Sequence, residues 1–199
     1  MRVTVARRAA GEASTAVRRI LFRHAGFHGL AAHDEVRTRP GGAPYCTRPG
    51  THVSLTHDAE WLAAATCPAP VGVDVQRAAG ISPRFARRLG CASAAESAAS
   101  WSVREAVAKL RGRGLADAPW RYDLRVRARQ GRFDEAYWLC VPLGDDTFLA
   151  AASTRPCALV LQEVSDDDVR SGGDPHRDPR PGGLDPVRRH PPLRRRVLD

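Results

Sequence analysis

The sequence predicts an α+β protein whose ordered body, residues 1–165, is built from two related lobes that meet near residues 68–70. Three observations carry that prediction. Two helical patterns, Gly11 to His24 and Ser93 to Arg111, are each followed by short alternating strands rather than by further helices. The turn Cys67-Pro68-Ala69-Pro70 separates the two passes. From Ser165 the composition shifts to Pro, Gly, Arg and Asp, with too few apolar residues to offset the entropy of ordering, so residues 166–199 are expected to form a disordered tail.

Within the first lobe, Ala16, Val17, Ile20 and Leu21 recur at helical spacing and leave Arg18, Arg19 and Arg23 facing outward. His52 to Thr56 and Trp61 to Thr66 are predicted strands flanking His57-Asp58, and Val71 to Arg77 is a third. The strand period of two puts Val71, Val73 and Val75 on one face and Asp74 and Gln76 on the other. Ser82-Pro83 has the form of an N-cap followed by proline at the first helical position, and Gly90 suits the end of that short helix. Ser93-Ala94-Ala95-Glu96 has capping-box form and opens a long helix expected to stop at Gly112. Beyond Pro119, strands are expected over Tyr122 to Arg129, Glu135 to Val141, Thr147 to Thr154 and Ala158 to Val164. Gln130-Gly131 and Gly144-Asp145 are the predicted hairpin turns.

Composition narrows the function classes. A net charge of +9, from 31 basic and 22 acidic residues, implies attraction to something acidic: nucleic acid, an anionic membrane surface, a phosphorylated cofactor or an acidic protein. The five cysteines, Cys46, Cys67, Cys91, Cys140 and Cys157, are odd in number and lack the close pairs of a zinc or redox motif, so they read as reduced thiols. No apolar run approaches the ~20 residues that cross a bilayer, and Met1 to Leu30 lacks the apolar core of a signal peptide. A cytoplasmic protein with no membrane partner is expected.

Only one of the 31 basic residues is a lysine, Lys109, and it stands four residues after Glu105 on the predicted long helix. An ammonium is a compact charge able to release a proton, whereas a guanidinium is a permanently charged fork. As an exposed i,i+4 pair these residues would contribute only about 0.2–0.5 kcal/mol. Packed against the strand that carries Asp74 and Gln76, they would instead converge with a second carboxylate and an amide. Two carboxylates and an amide oxygen facing an ammonium suit Mg²⁺, which prefers oxygen ligands and keeps waters and substrate phosphates in its shell.

Val71-Gly72-Val73-Asp74-Val75-Gln76 and Trp101-Ser102-Val103-Arg104-Glu105-Ala106-Val107-Ala108-Lys109 resemble the two signature motifs of the 4′-phosphopantetheinyl transferases, Sfp type. Gly42-Ala43-Pro44-Tyr45 is similar to that family's Gly-Lys-Pro-Tyr element, and Ser54-Leu55-Thr56-His57-Asp58 to its Asn-Ile-Ser-His-Ser motif. The likeness covers roughly Gly41 to Val164. It implies a pseudo-twofold fold of two lobes, each an antiparallel sheet plus a helix, with the N-terminal lobe shortened and its opening strand missing or reduced to Met1 to Arg8. A monomer is expected from that pseudo-symmetry.

The resemblance also implies a reaction: transfer of phosphopantetheine from coenzyme A to a serine of an apo acyl or peptidyl carrier protein, releasing adenosine 3′,5′-bisphosphate. Asp74, Gln76 and Glu105 would hold Mg²⁺, Glu105 would act as base on the serine, and Lys109 would neutralise phosphate charge or protonate the leaving group. His57, with the Thr56 hydroxyl beside it, would contact the 3′-phosphate. Ala43 stands where the family has a phosphate-binding lysine, a role assigned here to Arg48. Gln76 replaces a common glutamate, and Arg104 replaces the usual lysine before Glu105. Two alternatives stay open. One is an Arg-rich nucleic-acid-binding protein, supported by charge but lacking a helix-turn-helix, zinc or aromatic RNA-binding signature. The other is a catalytically impaired homologue of the transferases.

Overall fold

The computed structural model describes residues 1–7, 36–40, 42–156, 158–164 and 195–198. The helix expected over Gly11 to His24 lies outside them, as does Cys157. Among the described residues, strands β1 (Arg2–Arg7), β4 (His52–His57), β5 (Trp61–Cys67), β10 (Leu159–Val164) and β11 (Arg195–Leu198) form one sheet in the order β11-β10-β1-β5-β4. A second sheet, in the order β6-β9-β8-β7, contains β6 (Val71–Arg77), β7 (Gln130–Phe133), β8 (Ala136–Pro142) and β9 (Thr147–Ser153). The short hairpin of β2 (Val36–Thr38) and β3 (Pro44–Cys46) completes the strands. With helices α1 (Pro83–Leu89) and α2 (Ala94–Leu110), the class is α+β.

Alternation builds two layers of core around the second sheet. The odd-numbered face of β6, Val71, Val73 and Val75, packs with Leu149 and Ala151 against Val3, Val5, Ala63 and Ala65 of the first sheet. The opposite face, including Ala150 and Ala152, packs on Val103, Ala106 and Val107 of α2. The helix ends follow their sequence signals. Ser82 and Ser93 cap α1 and α2 by accepting from the amides of Phe85 and Glu96, and Gly90 ends α1 with φ near +72°, which a side chain would strain. Glu96 returns a bond to the Ala92 amide, closing the capping box one residue earlier than its usual form.

Three expectations are corrected, and one open alternative is decided. First, Tyr122 to Arg129 is not a strand: after a short turn of helix at Pro119–Arg121 the chain runs extended without a ladder until β7. Tyr122, Leu124 and Val126 alternate because they pack on the α2 side of the core. Buried Arg104 supplies hydrogen bonds that a ladder does not: its guanidinium donates to the carbonyls of Leu124 (2.8 Å), Pro119 and Trp120 (3.4 Å each). Second, Gln130-Gly131 begins β7, and the hairpin turns at Asp134-Glu135, with Asp134 at φ 51°, a conformation short polar side chains tolerate. Third, of the two alternatives for the opening strand, the one reduced to Met1 to Arg8 is found: it is β1, parallel to β10 and antiparallel to β5. Fourth, the tail contributes β11, whose Val197-Leu198 pairs with β10. Because β10 and β11 return to the first sheet, the division near residues 68–70 separates β1–β5 from β6–β9 only.

Arg104→Lys tests the clamp. A single ammonium cannot span three carbonyls that a planar fork reaches at once, so a loss of about 2 kcal/mol is expected. Denaturant unfolding should show it as a lower midpoint at unchanged m.

Candidate active site

Gly72 sets the geometry. A Cβ on it would lie 1.9 Å from the Ala106 carbonyl oxygen and 2.6 Å from the Leu110 amide nitrogen, so the β6 and α2 backbones touch there. That close approach lets Lys109, in the last turn of α2, reach across to β6. Its Nζ lies 2.6 Å from Asp74 Oδ1 and donates to the Val73 carbonyl at 3.2 Å. Asp74 is buried at 3% exposure and also accepts from Thr56 Oγ1 at 2.9 Å. Its other oxygen, Oδ2, is buried and has no hydrogen-bond donor among the described residues.

Glu105 comes from the same helix, one turn before Lys109, and stands within hydrogen-bonding reach of Asp74. Trp101, one turn earlier again, is placed so that its indole N–H favours the ionised form of Glu105. Phe85 of α1 holds the Trp101 ring edge-to-face at 4.8 Å, so α1 fixes that donor. Burial pushes the Glu105 carboxyl up to about 7, helped by the charge of Asp74 and opposed by Lys109. Burial likewise raises Asp74, against the pull of Lys109, Thr56 and the Val75 amide. Two ionised carboxylates repel, so a proton or a cation must lie between them for both to stay buried. The pair therefore fits a hard cation: a donor-free Asp74 Oδ2 and the Glu105 carboxylate are oxygen ligands of the kind Mg²⁺ takes from protein, usually one or two in number. Among the described residues no group of three or more His, Cys, Asp or Glu could hold a metal.

Gln76 follows Asp74 on the same face of β6, but its amide nitrogen donates to the neighbouring Arg77 carbonyl at 3.1 Å. Thr56 faces Asp74 rather than His57, which is exposed as the last residue of β4. Arg77 ties the following loop to the end of β6 through ion pairs with Asp58 (3.1 Å) and Glu60, which keeps His57 at the Asp74 end of the molecule. Arg48 is elsewhere. It lines a groove of about 260 Å³ with Arg39, Tyr45 and His52, at the start of β4. The five-residue step from His52 to His57 separates it from the Asp74 end by roughly 17 Å.

Asp74, Glu105 and Lys109 are thus brought together, Gln76 is adjacent, and Arg48 is apart. Sequence reasoning missed Trp101 and Gly72 as site-shaping residues, although both lie inside the two motifs: an indole at i−4 to Glu105, and the one residue of β6 without a side chain. Among the described residues no helix is long and apolar enough to cross a membrane. No family model matches the chain and no curated protein matches it.

Proposed function

We propose that the protein is a Mg²⁺-dependent 4′-phosphopantetheinyl transferase that moves phosphopantetheine from coenzyme A to a carrier-protein serine. The observation that carries this reading is the buried meeting of Asp74, Glu105 and the chain's sole ammonium, Lys109, across the contact of β6 and α2. It is what the two motifs lead one to expect. Bound Mg²⁺ would supply positive charge against the pyrophosphate of coenzyme A. The side chains do the rest. Glu105, with its proton affinity lifted toward neutrality, accepts the serine hydroxyl proton as the serine oxygen bonds to the pantetheine phosphorus and the bond to adenosine 3′,5′-bisphosphate breaks. An ammonium has three protons. Lys109 places two, on Asp74 and Val73, and keeps one for a phosphate oxygen or the leaving group.

A second reading, a homologue that binds carriers without turnover, draws on Gln76, whose amide nitrogen is spent on a backbone carbonyl where the family has a further carboxylate. One assay separates the readings. Incubation with coenzyme A, Mg²⁺ and an apo carrier, followed by intact-mass measurement, is expected to show phosphopantetheine on the carrier, and EDTA is expected to stop its formation. Carrier that binds but stays apo would favour the impaired homologue. Salt-sensitive binding to DNA without transfer would favour a nucleic-acid protein.

A further inference from the structure

The resemblance puts the Thr56 hydroxyl at the cofactor's 3′-phosphate, whereas the geometry points to a different task, one that rests on the metal reading above. We propose that Thr56 is a positioning residue: it locks the Asp74 carboxylate so that Oδ2 alone is left for Glu105 and the metal.

The lock arises at the joint between the two sheets. Among the described residues β6 is the edge strand of its sheet, so the outward amides of Val73 and Val75 have no strand partner there. β4, the edge of the other sheet, meets them with hydroxyls two residues apart, which the strand period directs to one side. Ser54 Oγ accepts from Val73 N–H at 3.0 Å, and Thr56 Oγ1 accepts from Val75 N–H at 3.4 Å. A hydroxyl has a single proton. With Val75 N–H approaching one lone pair, the Thr56 proton is directed to Asp74 Oδ1, 2.9 Å away. Lys109 adds a second donor to that same oxygen. The carboxylate cannot rotate without breaking both bonds, and Oδ2 stays buried and without a donor among the described residues. Ser54 performs the same backbone capping without touching Asp74, which makes it a matched control.

The test is Mn²⁺ binding followed by electron paramagnetic resonance of the free ion, on the full chain without coenzyme A. The site is defined as the Mn²⁺ binding that Asp74→Asn abolishes. Thr56→Val is expected to weaken that site about tenfold, the usual scale for residues that orient a metal ligand. Thr56→Ser, which restores the hydroxyl, should return it to the wild-type value. Ser54→Ala should lower the melting temperature as Thr56→Val does, through the lost amide cap, yet leave Mn²⁺ affinity unchanged. Thr56→Cys keeps the volume with only a weak thiol donor; it is read by the same criterion if Thr56→Val does not fold. Wild-type affinity in Thr56→Val (or in Thr56→Cys where it replaces that variant), or equal weakening by Ser54→Ala, overturns the positioning role and leaves the metal reading intact. A wild-type chain with no Asp74-dependent Mn²⁺ site overturns both.

Discussion

Gly72→Ala is expected to destabilise the protein by at least about 3 kcal/mol, the severe end of overpacking, and to cut transfer roughly a hundredfold. The cause is backbone against backbone. The added methyl would sit 1.9 Å from the Ala106 oxygen and 2.6 Å from the Leu110 nitrogen, neither of which can swing aside as the tip of a side chain would. An ordinary C···O contact is about 3.3–3.6 Å, so α2 must retreat by more than about 1 Å. Ala150 and Ala152, which face the helix beside β6, leave no larger side chain to fill the gap that opens. Two readouts should move together. Thermal unfolding should fall by roughly 10 °C, given ~2–4 °C per kcal/mol for a chain of this size. Lys109, carried on the retreating turn, should lose its 2.6 Å contact with Asp74, so the surviving folded fraction should transfer poorly even at temperatures where it is fully folded. A variant that melts like the wild type would show that the β6–α2 contact has room for a side chain at residue 72.

This dependence explains which parts of the fold and site were legible in the sequence. Caps and strand alternation are local, so Ser82, Ser93, Gly90 and the β6 faces were read correctly from a few neighbouring residues. The convergence of Asp74 with Glu105 and Lys109 was anticipated from one strand face and one helix face. What failed was non-local. Leu124 and Val126 alternate like a strand, yet Arg104, twenty residues before Leu124, donates to the backbone where a ladder was expected. Gly131 imitates a turn, while the real turn uses Asp134 in a left-handed conformation that its sequence neighbours do not announce. Nothing local records that β10 lies parallel to β1 across most of the chain, or that Val197-Leu198 in a polar tail supplies another strand. The bond from Thr56 to Asp74 was not legible for the same reason: its partner is on another strand, and strand order is a property of the whole sheet.

Glu105→Gln should separate catalysis from stability most clearly, because the same environment that suits Glu105 to act as a base makes its charge costly to the fold. Transfer should fall by about 10²–10⁴, the usual worth of a positioned general base, since an amide takes no proton from the serine. Stability should change in the opposite sense and depend on pH. The wild-type carboxyl titrates near 7 when folded but near ~4.3 when unfolded. Between those values the folded state holds the extra proton, so the stability this group contributes is complete below about pH 4 and is lost as pH rises through 7. Glutamine does not ionise and avoids that loss. Its amide can also donate to Asp74 Oδ2, the buried oxygen that otherwise has no donor among the described residues. The variant should therefore come closest to the wild type near pH 4 and exceed it near pH 8, by an amount on the order of a few kcal/mol at most. Denaturant midpoints at the two pH values, without added metal, measure it. Equal midpoints at both would mean that Glu105 ionises as freely folded as unfolded, and a carboxylate so well solvated would not be a base buried beside Asp74.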